Sequence, residues 1–345
     1  MTDKIFSKEE WLGGLEALRK TYGVFVPVKD GDFHTFMPFD KGNIPDFDYQ
    51  NSRLSPKSVV YPQSERLFEY TLDKADSEAD IVKESPKDYS PRAVVGIRPC
   101  DVQAFQIVKR NFDNPEYRDP WWVQHFESTT LVGLGCNEPC STCFCTEVGG
   151  GPFNQEGLDV LIFDMGETYL LRGLTDKGEA LLGKITGGSP ADDQALKNAE
   201  DLAASASKKI TSSIPTDKLK EKVTNDLFNA PFWEEIAFAC LNCGTCTFLC
   251  PTCWCFDIQD EVLGKEGDRI RNWDSCMFPL FTLHGSGHNP RDNKFQRVRQ
   301  RFMHKLKYYV DKYDNGVQCS GCGRCVRYCP VNIDIREVCN LMNNY

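Results

Sequence analysis

Cys240-Leu241-Asn242-Cys243-Gly244-Thr245-Cys246-Thr247-Phe248-Leu249-Cys250-Pro251 and Cys319-Ser320-Gly321-Cys322-Gly323-Arg324-Cys325-Val326-Arg327-Tyr328-Cys329-Pro330 are two complete copies of one pattern, C-x2-C-x2-C-x3-C-P. Three thiolates at intervals of three wrap one corner of an iron–sulfur cube, and the fourth, followed by proline, reaches the other cluster. The spacing therefore predicts one [4Fe–4S] cluster on Cys240, Cys243, Cys246 and Cys329, and a second on Cys319, Cys322, Cys325 and Cys250. The competing reading is a pair of zinc sites organising a scaffold with no redox role. Zinc sites favour paired C-x2-C knuckles, and the third and fourth cysteines of each run fit the cluster pattern instead. Gly244, Gly321 and Gly323 let the backbone fold tightly around a cube and aim amides at its sulfurs.

Residues 251–318 separate the two runs, more than a compact ferredoxin needs. Asn293 to Tyr309 has helical periodicity, with Phe295, Val298, Phe302, Leu306 and Tyr309 on one side. This predicts an α-helical ferredoxin domain. The other side of that helix carries Arg297, Arg299, Arg301, Lys305 and Lys307, within a basic stretch at 291–312. It reads either as a solvated face or as a docking surface for an acidic partner or anionic cofactor. Cys253, Cys255 and Cys276 are further candidate ligands, because Cys-x-Cys can ligate, although free cysteine is also a common core residue. Cys339, in a short C-terminal helical pattern, reads as core.

The whole chain has 345 residues, a net charge of −10 and 17 cysteines. Its length allows two domains, each with its own core. The acidic balance argues against general nucleic-acid binding, which needs basic residues against phosphate. No apolar run approaches the roughly 20 residues that span a bilayer, and Met1 to Phe6 shows no secretory-signal pattern. An odd cysteine count in a long chain of this kind argues for metal ligation over a disulfide framework. The expected location is the cytoplasm.

Residues 1–230 hold five of the cysteines and residues 231–345 hold twelve. The division predicts a mixed α/β domain at 1–185, a helical linker at 186–230 and the ferredoxin-like domain at 231–345, an α+β protein overall. Within the first domain, Glu9–Lys20 reads as a helix. Val24–Val28 and Thr35–Phe39 read as a hairpin, and residues 73–88 as a solvated loop. Ala93–Ile97 and Thr130–Leu134 read as buried strands. Asp101 suits a helix N-cap, followed by Val102, Phe105, Val108 and Phe112 on one face. Leu158–Phe163 and Tyr169–Leu171 read as an antiparallel pair. Cys100 follows the first buried strand, and Cys136, Cys140, Cys143 and Cys145 follow the second. If the strands are neighbours, all five thiols meet at one sheet edge, where α/β sheets place their sites. Five thiols for four positions predict a third [4Fe–4S] cluster with its ligand choice open; zinc, a redox dithiol or free thiols are the alternatives.

These segments carry a resemblance. Gly96-Ile97-Arg98-Pro99-Cys100-Asp101, Cys143-Phe144-Cys145 with Gly149-Gly150-Gly151-Pro152, and Cys250-Pro251-Thr252-Cys253-Trp254-Cys255 resemble the β subunits of archaeal and bacterial sulfhydrogenases. So do Trp273-Asp274-Ser275-Cys276, Ser286-Gly287-His288-Asn289-Pro290-Arg291 and the Cys319 run. The chain is also similar to the iron–sulfur subunit of anaerobic sulfite reductase that belongs to the same family. The segments Pro99–Ala104 and Gly133–Cys136 resemble the cluster-binding domain of deazaflavin-linked hydrogenase β subunits. The resemblance favours Cys100, Cys136, Cys143 and Cys145 as the third ligand set, with Cys140 as the alternate. It implies an electron-transfer subunit of an anaerobic, multi-subunit oxidoreductase, not a catalyst by itself. Such a subunit relays electrons between a flavin subunit handling NAD(P)H, with FAD on that neighbour, and a catalytic partner. That partner is of hydrogenase, sulfite reductase or heterodisulfide-reductase type. A free-standing ferredoxin-like carrier is the alternative, and the large first domain argues against it. Gly178-x4-Gly183-Lys184 lacks the Ser or Thr of a phosphate loop, because Ile185 stands there.

Overall fold

The computed structural model describes residues 3–314 and 316–345. Twelve strands make two sheets among these residues. They are β1 (Asp3–Ser7), β2 (Gly23–Asp30), β3 (Phe33–Pro38), β4 (Ser64–Thr71), β5 (Lys83–Glu84) and β6 (Arg92–Ile97). Then follow β7 (Thr129–Leu134), β8 (Val160–Asp164), β9 (Thr168–Gly173), β10 (Ser189–Pro190), β11 (Phe256–Leu263) and β12 (Glu266–Trp273).

The large sheet runs β10-β1-β9-β8-β7-β6-β2-β3. Its centre, β2-β6-β7-β8, is parallel, which explains the unbroken apolar runs: a parallel strand buries both faces. Ala93, Val95, Val132 and Ile162 pack on one side against Trp11, Leu15 and Leu18 of the helix Lys8–Leu18. Val94, Leu131 and Leu161 pack on the other against Val102 and Phe105 of the helix Pro99–Phe112 and Trp122 of the helix Pro120–Glu127. The expected helix near residue 9, the β2–β3 hairpin and the β8–β9 pair all form.

One irregularity matters for function. Gly96 has φ +88° and marks a register shift in the β6–β7 pairing, between Val95 and Ile97. A side chain there would meet Phe47 at 2.9 Å. The shift ends regular pairing just before Arg98-Pro99-Cys100. Asp101 is not the N-cap of the helix that follows. Arg98 takes that position, Pro99 opens the helix with its preset φ, and Asp101 lies buried in the first turn. A tertiary partner, described below, claims its carboxylate.

The spacer between the two cysteine runs is not wholly helical. β11 and β12 form a hairpin turning at Gly264 (φ +66°), and β12 pairs antiparallel with β4. The small sheet β11-β12-β4-β5 thus crosses position 231, and β5 lies within the stretch expected to be a solvated loop. Arg271 secures the crossing: it donates to Glu65 at 2.6 Å and to Asp119 at 2.5 Å, while His125 Nε2 lies 3.1 Å from Glu65. Burial opposes ionisation of Glu65, but His125 and Arg271 hold its carboxyl down to about 2. Between 186 and 230, β10 joins the large sheet and Asp193–Lys208 is helical, while Ile214, Leu219 and Leu227 enter the core of the second half. That core also takes Trp233, Val298, Phe302 and Leu306, together with Phe144 from the first-half cysteine loop.

Candidate metal centres

The first run starts where the helix Phe232–Ala239 ends. Cys240 takes the C-cap, Asn242 (φ +53°) and Gly244 (φ +74°) turn the chain, and Cys246 enters the short helix Thr245–Phe248. The left-handed turns point successive thiols inward. Cys240, Cys243, Cys246 and Cys329 line one cavity with Cys325, walled by Val298, Phe302 and Ile335. Cys329, the last cysteine of the other run, therefore reaches the first. Amides face two of these sulfurs: Asn242 N donates to Cys240 Sγ at 3.4 Å and Ile333 N to Cys329 Sγ at 3.2 Å.

The second run repeats the device with Gly321 (φ +65°) and Gly323 (φ +72°). Gly321 N donates to Cys319 Sγ at 3.4 Å. Burial pushes the Cys325 thiol up to about 12, with Cys250 and Cys322 adding to the rise and Arg301 opposing it. Cys319 is pushed above the usual thiol range by burial and by the neighbouring charges of Cys325, Cys250 and Cys322. Cys250 lies near enough to Cys319 and Cys325 to raise both thiols. Such thiols are unstable as bare anions, and a polycationic iron core is the partner that would hold them deprotonated.

The five first-half thiols converge. Because β6 and β7 are adjacent and parallel, Cys100 and Cys136 emerge side by side at their C-terminal ends. Cys100, Cys136, Cys140, Cys143 and Cys145 line one cavity, together with Gly321 and Cys322 of the second run. The Cys143 thiol donates to the Cys140 carbonyl at 2.9 Å; burial opposes the charge of Arg327, but the neighbouring Cys140 raises its guanidinium above the usual range. Burial pushes Cys136 up to about 11 against the pull of Arg98.

Glycine makes this juxtaposition possible. A Cβ on Gly321 would fall 2.6 Å from the Cys145 Cα, and one on Gly323 would fall 2.5 Å from Thr142 Oγ1. Phe144 N donates to Gly321 O at 2.8 Å across the seam. Arg324, fully buried, locks it: Nη1 and Nη2 donate to the two carboxylate oxygens of Asp101 at 2.7 and 2.8 Å, and Nε donates to Ser52 O at 2.8 Å.

The basic side of the helix Lys294–Met303 and its continuation is neither solvated nor free to dock a partner. Arg301 is 4% exposed, Lys305 2% and Lys307 1%. Arg301 lies on the wall of the first-run cavity and donates to Cys246 O at 3.4 Å. Lys305 donates to Thr252 Oγ1 at 2.5 Å, next to Cys250 and Cys253. Burial opposes the charge of Lys305, but Cys250, Cys253 and Cys319 raise its ammonium above the usual range. Lys307 pairs with Asp311 at 2.7 Å, and Arg299 stacks 3.5 Å over Phe228. A polar stripe of period 3.6 looks the same in sequence whether water or a thiolate nest faces it. These cations are what a dense set of anionic centres requires.

Sequence reasoning missed Lys57 and Arg324. Buried Lys57 donates to Cys250 O at 3.0 Å and Cys253 O at 2.9 Å and sits 4.1 Å over Trp273. Burial lowers its ammonium to about 8. A lone lysine in Pro56-Lys57-Ser58 carries no signal for this role. Cys339 is fully buried in the helical core, as expected. Cys253, Cys255 and Cys276 line a separate cavity.

Residues 239–333 match the 4Fe-4S dicluster domain family. The second half carries a 4Fe-4S dicluster domain. The chain is similar to the Pyrococcus furiosus protein described as "Sulfhydrogenase 2 subunit beta", with 26% identity over 331 residues, covering 94% of this chain and 92% of that one. No solved structure matches the chain. The likeness extends across the first half, beyond the dicluster domain, and supports an iron–sulfur electron-transfer subunit of a hydrogenase-type complex. Among the described residues no helix is long and apolar enough to cross a membrane.

Proposed function

We propose that the chain is the electron relay of a cytoplasmic, multi-subunit oxidoreductase. It carries three [4Fe–4S] clusters in series between a flavin subunit that handles NAD(P)H, with FAD on that subunit, and a catalytic partner. The ligand sets are Cys240, Cys243, Cys246 and Cys329; Cys319, Cys322, Cys325 and Cys250; and Cys100, Cys136, Cys143 and Cys145. Cys140, which lines the same cavity, is the alternate for the third set. Each cluster, when bound, supplies a one-electron couple whose potential follows from burial, charge and amide hydrogen bonds.

One observation carries the reading: the three thiol nests share walls. Gly321 and Cys322 line the first-half cavity, and Cys325 lines the first-run cavity. The second run is therefore the middle station. Arg301 and Lys305 offset its negative charge, and Arg324 holds it against the first half. At the far end Cys243 is exposed, and the exposed side chain of Leu241 lines the same cavity. An exposed apolar side chain next to a surface thiol suits a protein partner that must approach closely for transfer.

The test is an anaerobic pull-down of the tagged chain, with iron, sulfide and flavin quantified on the isolated complex. Co-purification of a flavoprotein and cluster EPR signals are expected. A stable monomer transferring electrons without partners would mean a free-standing carrier. Zinc in place of iron and sulfide would end the redox reading. Cys243→Ala, Cys322→Ala and Cys143→Ala should each remove or convert one cluster, lowering iron by up to about four per chain; unchanged iron would refute the assignment of that cysteine.

A further inference from the structure

Three cysteines remain after those ligand sets, the alternate Cys140 and the core residue Cys339 are set aside. They come from two separate places: Cys253 and Cys255 follow the first run, and Cys276 follows β12. The fold brings them to one cavity of about 290 Å³, against about 40 Å³ at the first run, so this site has room beyond its thiols. Cys253 N donates to Cys250 O at 3.3 Å, so the turn that ends the first run carries Cys253 and then Cys255 onto the cavity wall that Cys276 shares. Among the described residues no three His, Cys, Asp or Glu groups converge tightly enough to hold a single metal ion. Thiols spread around a roomy void suit a multinuclear core better than zinc.

The surroundings favour an anionic centre. Arg291, Arg301 and Lys305 line the cavity, and Lys57 sits behind it on the Cys253 carbonyl. His304 lines it as well, at the start of a π-helical turn, His304–Tyr308, in an otherwise α-helical run. Such turns cluster at functional sites because the extra residue re-aims side chains. Gln300 Nε2 donates to His304 Nε2 at 2.6 Å, which orients the imidazole.

We propose that Cys253, Cys255 and Cys276 hold a fourth [4Fe–4S] cluster, whose fourth iron lacks a thiolate and faces His304. The inference rests on the iron–sulfur reading of the chain but not on the identity of its partners. Because Cys253 adjoins Cys250, this cluster branches from the middle station instead of extending the series. Its thiolate-free iron is open to a small exogenous donor, with the three cations available to hold an anionic one.

The experiment uses the full chain, loaded with iron and sulfide anaerobically. About sixteen irons per chain are expected, against about twelve for three cubanes. Mild ferricyanide oxidation should convert one cluster to a three-iron form with its own EPR signal, since an iron without thiolate is lost first. Cys276→Ser and, separately, Cys255→Ser should abolish that signal and lower iron, leaving the remaining EPR signals in place. His304→Ala should alter the signal while iron content holds. About twelve irons in the wild type, unchanged in both serine variants, would overturn the proposal, as would zinc lost specifically on Cys276→Ser. Cys143→Ala and Cys243→Ala run in parallel: their loss of iron with no effect of Cys276→Ser would refute only the fourth cluster.

Discussion

Arg324 and Asp101 bind the two halves of the chain at the point where the first-half thiols meet the second run. Both side chains are fully buried, and the pair is bidentate at 2.7 and 2.8 Å. Asp101→Leu leaves a guanidinium buried without its counter-charge, which costs ~3–5 kcal/mol. Unfolding entropy of about 2.1 cal/mol/K per residue over 345 residues amounts to about 0.7 kcal/mol/K. The apparent midpoint in anaerobic scanning calorimetry should therefore fall by roughly 4–7 °C. Arg324→Met should cost about as much, because it strands the carboxylate. The double variant, with no charge left, should recover at least half of the combined loss, since replacing a buried ion pair by apolar groups is often close to neutral. If the double variant loses the sum of the two single effects, the charges act independently and the seam is not held as described.

Three further outcomes follow from the same geometry. Gly321→Ala places a methyl 2.6 Å from the Cys145 backbone at φ +65°, so it should lower first-half iron by about four per chain while the Cys240 site stays loaded; normal iron and EPR would contradict the shared wall. Lys305→Gln removes a buried positive charge near the middle station. For a nearby unit charge at an effective dielectric of about 20, this is worth on the order of 1–2 kcal/mol, a fall of tens of millivolts, ~40–90 mV for a one-electron couple. An EPR-monitored redox titration reads it, and an unchanged or raised potential would refute the charge-offset role. Phe238→Glu, at a side chain 86% exposed two residues before the first run, should weaken partner capture in the pull-down without changing iron content; undiminished capture would place the docking face elsewhere.

Much of the site was legible because iron–sulfur ligation is written in short-range spacing. C-x2-C-x2-C-x3-C-P specifies three inward thiols and one that crosses over, and the tight turns it needs are signalled by Gly244, Gly321 and Gly323 in the runs themselves. The large sheet was legible for a similar reason: unbroken runs such as Ala93–Ile97 and Thr130–Leu134 suit strands buried on both faces. The misreadings share one cause. Asp101 reads as an N-cap on local grounds, but it serves Arg324, 223 residues away. The 256–273 hairpin carries only a weak alternation, because nearly all of β11 is exposed, and its reason to exist is the partner strand β4.

The sequence by itself determined the ligand chemistry, the two ferredoxin runs and the mixed α/β first half, since those depend on residue type and near-neighbour spacing. Tertiary structure decided the rest. It turned the basic side of the Lys294–Met303 helix inward, set Lys57 and Lys305 against the thiols, and closed the first-half cysteines onto Gly321. It also gathered Cys253, Cys255 and Cys276 around one void. Charge compensation is a through-space effect, and nothing in local spacing reports which distant cation a buried thiolate will meet.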